Sequence, residues 1–381
     1  MIQLRQLPPL SLYIHIPWCV RKCPYCDFNS HEARGEIPQQ TYVEALVRDL
    51  EQSLPLAWGR KVQTIFFGGG TPSLLSPEML DQLLCRVRAL LPLAYGAEVT
   101  LEANPGTVEA GKFAAFRDAG VTRLSLGIQS FDDGYLRALG RIHDSDEAHR
   151  AVEIALATFD NVNLDLMYAL PKQSLTHALA DIRTAIGYAP SHISGYHLTI
   201  EPNTAFHHKP PQVPDDDASA AMQETIEAEL AQAGYEHYET SAFAKTGRQC
   251  RHNLNYWQFG DYLGIGAGAH GKLSFADRIL RQARVKHPVA YMAGVESGRH
   301  LESEHALSRN DLGFEFMMNA LRLTQGFSVA LFQERTGLPV SRVGRTLDEA
   351  VRKGLVERDH LHIKPTALGQ RYLNELLQMF L

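Results

Sequence analysis

The sequence predicts an α/β fold, an incomplete (βα)6 barrel followed by a winged-helix-like α+β domain. Three observations carry that expectation. Short β-rich runs alternate with helix-period segments through the first two hundred residues, the pattern of a parallel sheet joined by right-handed crossovers. A loop rich in Pro and Asp, "TAFHHKPPQVPDDD" (204–217), breaks the rhythm. Beyond residue 305 the chain reads as helices and one short hairpin. The expected domains are a partial barrel (1–205), a barrel extension (206–304) and a C-terminal domain (305–381).

The strand candidates, in order, are "SLYIHI" (11–16), "VQTIFF" (62–67), "EVTLEA" (98–103), "TRLSLGI" (122–128), "NVNLDLM" (161–167) and "HISGYHLT" (192–199). Six such units fit an open barrel better than a closed eightfold one. Between them, Ser76 is a good N-cap with Pro77 at the first helical position. Met79, Leu80, Leu83, Leu84, Val87, Leu90 and Leu91 follow at helical spacing, and Cys85 points away from that stripe. A helix over about 218–233 and the strand "YEHYET" lead into the third region. There "FEFMMNALRL", "SVALFQERTG", "SRVGRTLDEAVRKG", the hairpin "LVERDHLHIKP" and "TALGQRYLNELLQMF" read as helices plus a wing. Many winged-helix domains bind DNA, but residues 309–381 carry ten Lys/Arg against eight Asp/Glu. That balance favours a packing or docking role and makes nucleic acid an unlikely partner.

The whole chain has a net charge of −6, which argues against general nucleic-acid binding. Five cysteines in 381 residues do not make a disulfide scaffold. The start shows no signal-peptide pattern, and no apolar run is long enough to span a membrane. The expectation is a cytoplasmic protein.

Three of the five cysteines fall in "PWCVRKCPYC" (17–26). Cys19, Cys23 and Cys26 have the spacing C-x3-C-x2-C. Zinc sites usually take four N/S ligands, and no second C-x2-C is present. A thioredoxin-like pair would not need the third thiol. Three thiolates suit a [4Fe–4S] cluster with one iron left open to chelate a small molecule. The alternative, buried unliganded thiols, is disfavoured by Arg21, Lys22 and the prolines that make this a loop. The glycines of "FFGGGTPSLL" (Gly68, Gly69 and Gly70, before Thr71) end the second strand. Consecutive N–H groups there would form a nest for a carboxylate or amine; an ordinary tight turn is the other reading.

The cysteine spacing after the first strand resembles the radical S-adenosylmethionine (SAM) superfamily. With "LEANPGT", "LSLGIQSFDD" and "LDLMYALP", the chain resembles the family of oxygen-independent coproporphyrinogen III oxidase and its heme-chaperone relatives, from about residue 10 to the C-terminus. The resemblance implies that the open iron binds SAM and that Tyr13, Tyr25, Gly69, Gly70 and Thr71 flank the cofactor. It also implies that Glu102, Gln129, Arg141 and Asp165 complete the pocket. A satisfied core carboxylate is the competing reading of Asp165, and a surface cation that of Arg141.

Three departures separate the branches. Where the oxidase has a cysteine two positions after the last cluster thiol, this chain has Phe28. It reaches Cys19 almost at once, without the oxidase's N-terminal cover. And "CRHNLNYW" (250–257) contains H-N-x-x-Y-W, which resembles the heme-chaperone branch. His252 would be an axial heme ligand, Tyr256 and Trp257 flat faces for the macrocycle, and Cys250 a weaker second candidate. "LGIGAGAHG", with Gly264, Gly266 and Gly268, lacks dinucleotide-motif spacing and reads as close backbone packing. The implied partners are heme, a heme-acceptor protein (respiratory, membrane-associated), an electron donor for the cluster and a second copy of the chain. The competing activity is a coproporphyrinogen III dehydrogenase acting on propionate side chains.

Overall fold

A computed structural model describes residues 2–57, 59–107 and 110–381. Six parallel strands lie side by side in chain order: β1 (Leu10–Ile16), β2 (Val62–Gly69), β3 (Leu93–Ala103), β4 (Arg123–Gln129), β5 (Val162–Tyr168) and β6 (His192–His197). Each is one of the β-rich runs read from the sequence, the third extended back to Leu93. Helices α1 (Gln39–Ala57), α2 (Pro77–Leu90), α3 (Ala110–Ala119), α4 (Ser145–Thr158) and α5 (Leu175–Gly187) make the crossovers. In α2 the Ser76 side chain accepts from the Met79 N–H, Pro77 opens the helix, and Leu80, Leu83, Leu84 and Val87 are buried. Cys85 lies exposed on the other face.

The sheet continues past both edges. Helix α6 (Asp216–Gln232) leads to β7 (Glu236–Glu239) and β8 (Ala242–Ala244), which add antiparallel beyond β6. On the other side, α7 (Arg251–Trp257) precedes β9 (Asp261–Ile265), which pairs parallel with β1. Strands β10 (His270–Ser274), β11 (Ile279–Arg284) and β12 (Leu301–Ala306) follow antiparallel. The result is one open sheet of twelve strands ending at β12 and β7. The glycines in and after β9 are packing glycines. A Cβ on Gly264 would stand 1.9 Å from the His270 carbonyl oxygen, and one on Gly266 (φ +104°) 2.5 Å from that of His15.

The apolar core lies between the parallel strands and the outer helices, with Leu12, Ile14, Ile65, Phe67, Leu101 and Leu164 fully buried. A second core belongs to the C-terminal helices and the small sheet of β13 (Phe327–Ser328), β14 (Val356–Arg358) and β15 (His362–Pro365). It takes in Ile2, Leu4, Phe259 and Ile279 as well, so this domain is packed onto the extension. Beneath the extension, the buried Asp261 carboxylate meets Arg60 at 2.8 Å and Lys272 at 2.9 Å and accepts from the Ser274 hydroxyl. Among the described residues no helix is long and apolar enough to cross a membrane.

Candidate functional site

The loop after β1 is held by backbone contacts before any ligand is considered. Gly70 N–H donates to the Ile16 carbonyl (2.8 Å), Thr71 N–H to that of Trp18 (2.8 Å), and Ala33 N–H to that of Cys19 (2.9 Å). Lys22 Nζ donates to the Phe28 carbonyl, and Arg21 to the carbonyls of Gly140 and Arg141. Cys19, Cys23 and Cys26 are all half-buried free thiols. Burial raises the Cys19 pKa, the Cys26 and Cys23 thiols add to this, and the Thr71 hydroxyl at 3.6 Å opposes it. Among the described residues, no three His, Cys, Asp or Glu groups converge tightly enough for a single ion. Three thiols on one loop suit a polynuclear cluster with one iron left open.

Behind the thiols runs a polar relay that the sequence did not reveal. Asn104 Nδ2 donates to Thr71 Oγ1 (3.0 Å), which faces Cys19, while Asn104 Oδ1 accepts from Arg141 (2.6 Å). Arg141 also reaches the Gly127 carbonyl (2.8 Å) and the Cys23 sulfur (3.7 Å). One asparagine therefore ties together the supports of Cys19 and Cys23. It sits in "LEANPGT", and its place after a strand end was the available signal. Arg141 is thus a partly buried part of the site, and the surface-cation reading of it falls. Gln129 closes β4 in the left-handed region (φ +68°). Its amide folds back over Gly127, where a Cβ would stand 3.0 Å from Nε2. Tyr25 lies in the loop beside Phe206, ring centroids 6.4 Å apart.

The triple glycine does something other than present free amides. Gly69 N–H donates to Glu102 (3.3 Å), and the next two amides are committed to Ile16 and Trp18. A Cβ on Gly70 would lie 2.5 Å from the Trp18 carbonyl oxygen, and one on Gly69 (φ +117°) 2.6 Å from the His15 ring. These glycines let β2 press against the cysteine loop; an open nest is not what the backbone forms here. Glu102 is pushed up to about 8 by burial and then by the charge of Asp165, with the Gly69 N–H acting the other way. Asp165 is a satisfied carboxylate lower in the barrel, one oxygen accepting from Ser125 (2.9 Å) and the other from Asn163 (2.8 Å). Burial raises its pKa as well.

In front of the thiols opens a cavity of about 810 Å³, within the range of small-molecule and cofactor sites. Cys26, Phe28, Gly69, Tyr13 and Glu102 form one side. Tyr256, Trp257, Tyr262, His270, Lys272, Arg281 and Lys286 form the other. Tyr13 joins the two, its hydroxyl 3.0 Å from His15 Nδ1, while His15 Nε2 lies 2.8 Å from the Asn29 carbonyl.

The H-N-x-x-Y-W segment is α7, and its members divide. Tyr256 and Trp257 face the cavity. His252 is 1 % exposed, with Nδ1 2.7 Å from Thr64 Oγ1 and Nε2 2.9 Å from the Tyr256 hydroxyl. The Thr64 hydroxyl donates to Ser11 (2.8 Å), so Nδ1–H donates to Thr64 and Nε2 accepts from Tyr256. Burial, helped by Arg123, lowers the pKa of His252 to about 3. This corrects the axial-ligand expectation: His252 offers no free nitrogen, and it braces Tyr256. Asn255 pins the helix end through Ser11 (2.8 Å) and the Asp261 carbonyl (2.8 Å). Cys250 is fully buried, its sulfur 3.7 Å from Glu98, and does not reach the cavity.

The Radical SAM superfamily model matches residues 13–185, and the HemN C-terminal domain model matches 307–372. The chain is 52 % identical to heme chaperone HemW of Escherichia coli K12, covering 99 % of each. It is 35 % identical to heme chaperone HemW of Bacillus subtilis, covering 97 % of this chain and 99 % of that one. A solved structure of coproporphyrinogen III oxidase (HemN) from Escherichia coli superposes with a TM-score of 0.83 at 23 % identity, covering 98 % of this chain and 90 % of that one. That likeness shows the shared fold. Superfamily membership implies a [4Fe–4S] cluster and SAM, and the donor set at the mouth of the barrel is compatible with both. A three-cysteine loop braced on a radical SAM barrel, a C-terminal domain of the HemN type and full-length identity of this extent place the chain in the heme chaperone HemW family.

Proposed function

We propose that the chain is a heme chaperone that holds a [4Fe–4S] cluster on Cys19, Cys23 and Cys26, binds SAM beside it, and carries heme in the adjoining cavity to an acceptor. The observation that carries the reading is that one cavity runs from Cys26 and Glu102 to an aromatic wall flanked by Arg281 and Lys286. When bound, the cluster and SAM supply one-electron chemistry. Tyr13, Gly69 and Glu102 line the SAM side, with Gln129, Arg141 and Asp165 shaping it from behind. The Glu102 carboxyl, protonated near neutrality, donates to a ribose hydroxyl or releases its proton when one donates to it. Tyr256 and Trp257 give a macrocycle flat apolar contact, and the exposed Lys286 meets a propionate. The acceptor is a respiratory, membrane-associated protein, the cluster's electrons come from a separate donor, and the setting is the cytoplasm.

The porphyrinogen-oxidising alternative draws support from the shared oxidase fold. Against it, Phe28 stands 63 % exposed at the cavity, where the oxidase pattern has a cysteine. Anaerobically purified protein assayed for iron, sulfide, heme binding and coproporphyrinogen III oxidation separates the two. Saturable heme binding without oxidation supports the chaperone; robust oxidation without heme binding sinks it. Sedimentation of the heme-loaded sample tests whether a second copy joins.

A further inference from the structure

The segment that carries the family's histidine motif is not where the cavity keeps its open imidazole. We propose that His270 is the axial ligand through which this chain holds the iron of a metalloporphyrin, an inference that rests on reading the cavity as the heme site. His270 opens β10, where alternation places it on the same face as Lys272, and both line the cavity. It is exposed, and among the described residues neither ring nitrogen has a hydrogen-bond or ion-pair partner. The other imidazoles nearby are committed: His15 to Tyr13 and Asn29, His252 to Thr64 and Tyr256. An unpartnered nitrogen costs nothing to ligate, whereas His15 or His252 would first have to give up a buried hydrogen bond.

The surroundings suit a tetrapyrrole dianion. Desolvation at the cavity wall lowers the His270 pKa, Arg281 and Lys286 lower it further and Glu302 opposes them, which favours the neutral form that binds metals. The Lys286 side chain is exposed and stands where a carboxylate side group would meet it, while Arg281, opposite Lys272 on β11, is half-buried and paired with Glu315 at 3.3 Å. Tyr256 and Trp257 supply the flat contact on the same wall.

The test titrates full-length, cluster-loaded protein with hemin and, separately, with metal-free protoporphyrin IX, following tryptophan fluorescence and hemin difference spectra. His270→Ala should weaken hemin binding by about tenfold or more while leaving protoporphyrin IX within about twofold. It should also shift the ferric Soret band away from that of the histidine-ligated heme, and added imidazole should shift it back. His252→Ala, which loosens Tyr256, should weaken both tetrapyrroles alike. Equal losses for hemin and protoporphyrin IX in His270→Ala, or an unchanged hemin spectrum, would overturn the assignment. Failure of the wild-type protein to bind either tetrapyrrole saturably would overturn the heme-site reading beneath it.

Discussion

One side of the cavity is edged by Cys26, the last of three thiols within eight consecutive residues, whereas the other gathers Tyr256, Trp257, Tyr262, His270, Arg281 and Lys286 from separate elements of the extension. The cysteine side is a short loop whose geometry comes from backbone pairing with β2 and from the Asn104–Arg141 relay. The aromatic side exists only because β9 pairs with β1 and carries α7, β10 and β11 into place. The first therefore depends on contacts within the barrel, and the second on the buried contacts that dock the extension.

The sharpest way to break the comparison is at the thiols. Cys23→Ala should abolish cluster assembly, read as loss of bound iron and sulfide, with an unchanged far-UV spectrum because the half-buried thiol is outside the core. Cys85→Ala, on the exposed face of α2, should change neither. Retention of full iron and sulfide in the Cys23 variant would remove the loop from the ligand set.

Asp261→Ala attacks the other side. It strands Arg60 and Lys272 in a buried setting, where removing one partner of an ion pair costs about 3–5 kcal/mol. Urea unfolding should show a lower midpoint, and heme binding should fall before cluster content does. If both fall together, the two sides are one cooperative unit.

Gly70→Val tests what the triple glycine is for. A side chain there meets the Trp18 backbone, so cluster content and SAM affinity should drop together; loss of SAM affinity alone would restore the nest reading. Trp257→Ala should weaken heme about fivefold, the factor carried by ~1 kcal/mol of aromatic contact, with iron and sulfide unchanged.

The smallest effect is electrostatic. Because the Glu102 carboxyl is raised from 4.5 to about 8 in the fold, the folded state keeps a proton that the unfolded chain has released. Stability therefore falls as pH rises between those values. The thermal midpoint of the unliganded protein should decline from pH 6 to about 8, and Glu102→Gln should flatten that slope. An unchanged slope in the variant would place the titration elsewhere.

Much of this molecule was legible along the chain. The parallel strands, the capped α2, the cysteine loop and the helix–hairpin C-terminal region all rest on local signals: periodicity, capping residues and spacing. Local signals could not say that the Gly70 and Thr71 amides are spent within the protein, because the Ile16 and Trp18 carbonyls that take them lie some fifty residues away in sequence. Nor could they separate His252 from His270. A motif names residue types, while availability depends on what each ring nitrogen touches, and Thr64 and Ser11, which secure His252, are themselves remote in sequence.

By itself, then, the sequence determined where thiols cluster, which segments alternate between strand and helix, and which family the combination resembles, since all of these are set by neighbours within a few turns of chain. Only the tertiary structure decided that Asn104 links the supports of Cys19 and Cys23, that burial raises the Glu102 carboxyl, and that His270 faces the cavity with a free nitrogen. Each of those depends on burial and on pairings between strands far apart in the chain. Such long-range contacts fix hydrogen-bond partners and desolvation, and residue identity alone specifies neither.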